Sequence, residues 1–316
     1  MTSADPTPPP AGTPPTGVPP VTGAAVARGA ASLPAPVLIA IVVTVIAWAS
    51  AFIVIRGVGP HFEGGSLALI RLVVGAVLLG VIMIGRRWVA PTRREWLLIA
   101  GFGLAWFGLY NVALNIAEQT LDAGTTAMLV NIAPILIALG AGLFLGEGIP
   151  KWLAIGVGVA FVGVLLIGFG TSGGADGQGV GILWGLVAAV TYAIGVLLQK
   201  PALRRLPAAQ VTFMGCAIGA VGCLPFAAQA VTDLQSAPVA SIVGAVYLGA
   251  VPTALAFSTW AYALSRMPAG QLGVTTYVVP PLAILFGFLL LGEVPAPLAI
   301  VGGAICLGGV ALSRRR

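Results

Sequence analysis

The sequence predicts an all-α integral membrane protein, with ten transmembrane helices arranged as two inverted five-helix repeats. Three observations predict it. The 316 residues are 59% hydrophobic and only 8% charged, whereas a soluble globular chain carries about 25% charged residues. Ten apolar stretches each approach the ~20 residues needed to cross ~30 Å of hydrocarbon. The second half of the chain also repeats landmarks of the first at a constant shift of 146 residues.

The composition excludes a water-soluble protein. Mean hydropathy is +1.06, and 44 glycines fit a usage more common in transmembrane than in soluble helices. Residues 1–35 differ from everything after them. They hold nine of the 24 prolines, including Pro8 to Pro10, and read as a solvated, disordered tail. No basic start followed by a short apolar core marks a signal peptide there.

The apolar stretches run approximately 36–56, 66–85, 95–117, 123–145, 152–170, 179–199, 208–230, 239–264, 270–292 and 296–313. They do not alternate apolar with polar residues, which excludes a β-barrel. The net charge of +6 lies in short clusters between these stretches, such as Arg86-Arg87, Arg93-Arg94 and Arg204-Arg205. Such a pattern orients a membrane protein rather than binding nucleic acid. With the tail inside, thirteen of the 15 basic residues fall in cytoplasmic segments; Arg56 lies in an outer loop and Arg71 within a span. Both termini are therefore expected in the cytoplasm, with the cytoplasmic membrane as the location. Cys216, Cys223 and Cys306 all fall in apolar runs and read as packing residues, and no redox or zinc framework is present.

The repeat is gapless over spans three to five and eight to ten. Ala123-Gly124 falls on Ala269-Gly270, Pro134 on Pro280, and Leu145-Gly146-Glu147 on Leu291-Gly292-Glu293. A shift of 144 places Trp48 on Tyr192 and Arg56 on Lys200. Five spans per half is an odd number, so the halves enter the membrane from opposite sides. Inverted repeats of this kind carry a site near the midplane, between the halves. The units are a first repeat over 36–170 and a second over 179–313.

These residues resemble a family. Trp48-Ala-Ser-Ala-Phe52, Leu69-Ile-Arg71, and Ala123-Gly124 through Pro134 to Leu-Gly-Glu147 are similar to the EamA type of the drug/metabolite transporter superfamily, and the second half repeats the pattern to Leu-Gly-Glu293. The resemblance implies an exporter or exchanger of small metabolites, with the first four helices of each half around a cavity and the fifth outside. It leaves the substrate open among amino acids, sugars, nucleotide derivatives and drugs.

Polar residues inside spans are the informative minority. Asn111, Asn115 and Glu118 share one face of span three. Asn131 lies three residues before Pro134, where a proline frees a backbone carbonyl. In the second half the corresponding residues are Phe257, Ala261, Leu264 and Tyr277, so the scaffold is duplicated but the polar set is not. The first half is expected to supply polar contacts, the second an aromatic wall from Tyr192, Phe257, Trp260 and Tyr277. Trp48, Arg71, Asn111, Asn115, Asn131, Tyr192, Trp260 and Tyr277 are the candidate substrate-binding residues. Each has a bland alternative: interhelical hydrogen bonding for the asparagines, an interfacial belt for the aromatics, and pairing with Glu63, Glu118 or Asp122, or snorkelling, for Arg71. Glu118 is the candidate coupling carboxylate, against simple solvation at the outer end of its helix. Glu147 and Glu293 read as neutralising helix ends. Ala154 with Gly158, and Ala299 with Gly303, mark close helix approach.

No phosphate-binding loop is present, Gly177-Gln-Gly179-Val-Gly181 lacks the context of a dinucleotide loop, and His61 stands alone, so the reading is not an enzyme and needs no cofactor or metal. It is a secondary transporter of a small polar metabolite, an amino acid or derivative favoured. A sugar- or nucleotide-type exchanger and a non-transporting membrane scaffold or receptor are the alternatives. The expected partners are a small-molecule substrate and the lipid bilayer, and both a monomer and a weak homodimer stay open.

Overall fold

The computed structural model describes residues 33–146, 152–171 and 178–312, and among them it is helical with no strand. We number the helices α1 (Ala35–Val58), α2 (Gly64–Met83), α3 (Arg93–Thr120), α4 (Ala123–Phe144), α5 (Leu153–Thr171), α6 (Gln178–Ala202), α7 (Ala208–Gly222 continued by Leu224–Ser236), α8 (Val239–Leu264), α9 (Ala269–Leu291) and α10 (Pro297–Leu312). Seven of them (α1 to α4, α6, α8 and α9) are long and apolar enough to cross a membrane, and α7 makes eight if its two segments count as one span. Those segments are bent by 50°, where Pro225 sits in a short 3₁₀ turn over Leu224–Phe226. The expected uninterrupted run over 208–230 is thus broken at a proline, which cannot continue an i→i−4 ladder. Glu147 and the tail over residues 1–32 lie outside the described residues.

The duplication read from the sequence is a duplication of local structure. A π turn interrupts α3 at Gly103–Leu109 and α8 at Gly249–Leu255, the same position after the shift of 146. Helix α4 breaks after Val130 and resumes at Ala133. Helix α9 passes through a 3₁₀ turn at Thr276–Val278. Each break precedes the aligned prolines Pro134 and Pro280. Gly146 and Gly292 end α4 and α9 with φ of 70° and 68°, a left-handed backbone that glycine adopts without strain.

Packing is reciprocal between the halves. Helix α1 lies on α8 and α9, and α6 lies on α3 and α4; α2 meets α7, α4 meets α9, and α5 meets α10. The ends are tied reciprocally too. Asp233 of α7 accepts bonds from Ser66 Oγ and, at 3.0 Å, from the Glu63 amide at the start of α2. Gln210 at the start of α7 exchanges two bonds with the Val89 backbone beyond α2, at 3.0 and 2.7 Å.

The two small-residue stripes differ: Gly303 permits the expected close helix approach, and Gly158 does not. Gly158 faces open space, and Gly303 lies against Met128 of α4. Close approach of α5 and α10 comes one position away, where a Cβ on Gly302 would lie 2.6 Å from the Gly163 carbonyl. The side chains of Ala154 and Cys306 lie outside the described residues, and Cys216 and Cys223 are free and buried.

Candidate functional site

Helices α1, α3, α6 and α8 cross at an aromatic cluster. Trp48 of α1 lies 5.0 Å from Trp260 and 5.5 Å from Phe257 of α8, ring centre to ring centre. Trp106 of α3 stacks on Tyr192 of α6 at 4.7 Å. Tyr192 also faces Trp48 and Trp260 at 6.0 Å. Tyr192 and Trp260 are buried at 4% and 1% exposure, so neither belongs to an interfacial belt. The structure thus brings three of the sequence-predicted residues together. It also adds Phe102, Trp106, Phe107 and Tyr110, which composition alone left unmarked. The wall is therefore not a property of the second half; α3 contributes four rings and α8 two. The missed signal is the density of aromatics over 102–110, four rings in nine residues.

The π turns account for several polar contacts. Widening a helix by one residue leaves carbonyls without their usual donor. In α3, Asn111 Nδ2 donates to Phe107 O at 2.7 Å and Trp106 O at 3.3 Å. In α8, Pro252 has no N–H. Trp48 Nε1 donates across to Pro252 O at 3.3 Å, and Thr253 Oγ1 donates to Leu248 O at 2.8 Å.

Arg71 is 2% exposed, so it does not snorkel out of the bundle. Its Nε donates to Thr253 Oγ1 at 3.3 Å, and its Nη1 has no hydrogen-bond partner. The expected pairing with Glu63, Glu118 or Asp122 is not formed: the ion pairs among the described residues are Arg56–Glu293 and Arg205–Glu95. Arg71 instead shares an electrostatic environment with Tyr110 and Glu118. Glu118 is not solvated at an outer loop. It is 2% exposed, and both carboxyl oxygens are buried without a hydrogen-bond partner. A cavity of about 160 Å³ lined by Arg56, Gly59, Pro60, Glu118 and Gln119 adjoins it.

Asn115 Nδ2 donates to Gly64 O at 2.9 Å, and the Oδ1 atoms of Asn111 and Asn115 are both buried and unpartnered. Asn131 caps its own helix through Ala127 O at 3.0 Å and accepts from Thr276 Oγ1 at 3.4 Å. It links the break in α4 to the turn in α9. Asn131 and Tyr277 sit at the breaks of α4 and α9, while Arg71, Asn115 and Glu118 form the cluster's polar flank.

Glu293 has a different place. Its Oε1 pairs with Arg56 Nε at 2.6 Å, and Oε2 accepts from the Ala123 amide at 3.3 Å. Arg56 Nη1 also donates to Glu118 O at 2.8 Å. One acid thus joins the ends of α1 and α9 to the start of α4, in line with neutralising a helix end. The aligned Lys200 donates to Leu264 O at 2.6 Å and Met267 O at 2.7 Å.

A chain of apolar helices with buried, unpartnered polar groups between its halves has the character of a membrane protein that moves solutes. The EamA-like transporter family matches residues 35–169 and again 179–315, and this chain belongs to it. A probable terminal-alkyne amino-acid exporter of Streptantibioticus cattleyicolor is 37% identical over 88% of this chain and 93% of its own length. The uncharacterized transporter YdfC of Bacillus subtilis is 32% identical over 84% of this chain and 87% of its own. A solved crystal structure superposes with a TM-score of 0.61 and 17% identity, over 88% of this chain and 96% of that one, which supports the fold alone.

Proposed function

We propose that this protein is a secondary active transporter that exports a small polar metabolite, an amino acid or derivative, by alternating access. The observation that carries this is the polar flank of the aromatic cluster. Buried polar side-chain atoms are normally hydrogen-bonded, and here Arg71 Nη1, both Glu118 oxygens and two asparagine oxygens all lack partners. Groups of this kind earn retention when a bound solute completes their hydrogen bonds. The aromatic rings of Trp48, Tyr192, Trp260 and Tyr277 would cover the apolar part of the cargo. Arg71, Asn111, Asn115 and Asn131 would hold its polar groups, a carboxylate on the arginine fork first.

In this reading the helices form ten spans in two inverted repeats, 36–170 and 179–313, with the tail and both termini in the cytoplasm and the chain in the cytoplasmic membrane. The reciprocal packing of α1 on α8 and α9, and of α6 on α3 and α4, supports the inversion. Energy comes from an ion gradient, and Glu118 is the group that exchanges a proton. The exporter of Streptantibioticus cattleyicolor, whose name gives an amino acid as cargo, supports the substrate class.

Metabolite profiling of cells overproducing the chain, against empty vector, tests the reading. An amino acid or derivative accumulating in the medium supports it. Accumulation of a sugar or nucleotide instead points to the exchanger, and an unchanged profile with inserted protein to a scaffold. Reporter fusions after residues 90, 175 and 316 should read inside, outside and inside; an inside signal at 175 removes the inversion.

A further inference from the structure

A second cavity, of about 600 Å³, lies far from the aromatic cluster's polar flank. Ile82 in the last turn of α2, Arg86 beyond it, Leu206 of the α6–α7 connection, Ala208 opening α7, Tyr262 in the last turn of α8 and Arg266 beyond it line it. It sits at the end of the bundle where α3 begins, because Arg205 of the same connection binds Glu95 in the first turn of α3. Glu118 and Arg56 lie at the other end of α3.

Its chemistry is cationic above and apolar below. Among the described residues no carboxylate lines it. Glu95, the acid closest in sequence to this end of α2, is already held by Arg205, whose Nε donates at 2.8 Å. Arg266 stacks 3.5 Å over the Tyr262 ring and donates through Nη1 to Tyr262 O and Ser265 Oγ, both at 2.9 Å. That arrangement holds its guanidinium in place beside the cavity. The first turn of α7 adds amides, since Pro207 precedes it with no side-chain cap, and such amides favour an anion. Below Arg86, α2 turns a stripe of Val73, Val77 and Val81 outward, at 46%, 60% and 59% exposure. Spaced by four, these residues form one lipid-facing ridge, which ends at Val81 beside Ile82 of the cavity lining.

The geometry points to a binding site for one anionic phospholipid, its phosphate between Arg86 and Arg266 and an acyl chain along the α2 ridge. A basic pocket between transmembrane helices at headgroup level suits such a lipid. A soluble anion would use the arginines but leave the ridge without a role. The proposal depends on membrane insertion and not on the nature of the cargo, so it stands or falls separately from the transport reading.

Native mass spectrometry of the full-length protein, mixed with phosphatidylglycerol in mild detergent, tests it. The wild type should retain one bound lipid, and phosphatidylcholine should not replace it. Arg86→Gln with Arg266→Gln should lower retention about tenfold or more, the scale expected for two headgroup contacts. The single variant Arg86→Gln should give an intermediate loss, which guards against misfolding of the pair. Arg87→Gln with Arg94→Gln removes the same charge outside the cavity and should retain the lipid. Equal loss in both pairs, or no loss in either, overturns the site. So does inorganic phosphate raising the melting temperature as much as phosphatidylglycerol does.

Discussion

The two π turns occupy the same place in their halves and do different things. In α3 the carbonyls of Trp106 and Phe107 are met by Asn111 of the same helix. In α8 the carbonyl of Pro252 is met by Trp48 from the other half, and Thr253 receives Arg71, again from the other half. The first turn is healed within its own helix; the second is met partly by its own Thr253, at Leu248 O, and partly across the molecule. The difference teaches that duplication reproduces a backbone device, while the side chains placed on it decide whether it couples the halves. Both turns begin at a glycine that lets a neighbouring backbone in close. A Cβ on Gly103 would lie 2.6 Å from Gly215 O, and one on Gly249 would lie 2.7 Å from Arg71 O.

The largest expected effect comes from filling those contacts. Gly103→Ala and Gly249→Ala should each destabilise by about 2 kcal/mol, the scale of overpacking, measured by unfolding in detergent. Export should separate them: Gly249→Ala moves α8 against Arg71 and should reduce it further than stability explains, whereas Gly103→Ala should not. Equal export in the two variants breaks the comparison.

Arg71→Lys should come next, lowering export about tenfold with the protein still inserted, because a lysine cannot make the planar two-bond contact. Normal export by Arg71→Lys, or failure of Arg71→Ala to accumulate, returns Arg71 to a structural role. In the same assay Glu118→Gln should abolish the pH dependence of export, and an unchanged pH profile removes it from coupling.

Smaller effects are expected at the ends. Arg56→Met should cost about 1 kcal/mol, since the pair with Glu293 is half-exposed, at 32% and 21%, and water screens it. Lys200→Met at the opposite end should cost a similar amount through its two carbonyl bonds. The smallest is Asn115→Ala, about 0.6 kcal/mol for one bond to Gly64 O in a membrane bundle. A much larger loss of export than of stability would mark its free Oδ1 as a cargo contact.

The sequence by itself determined the helical class, the duplication and the polar asymmetry. Hydropathy acts on each stretch separately, and a repeat at 146 residues is a property of the chain, not of its packing. It marked Asn131 beside a broken helix through Pro134, because a missing N–H is a local fact. The tertiary structure decided the rest, for reasons that no local pattern holds. Arg71 meets Thr253 of another helix through Nε rather than an acid, and leaves Nη1 without a partner. Glu118 is buried rather than solvated because its helix continues to Thr120 under the end of α1. Trp106 and Tyr110 join the cluster because α6 crosses α3 there, and an apolar ring in an apolar span gives no sequence signal of the direction it faces. The burial of a side chain depends on which helices cross, and crossing is a relation between stretches far apart in the chain.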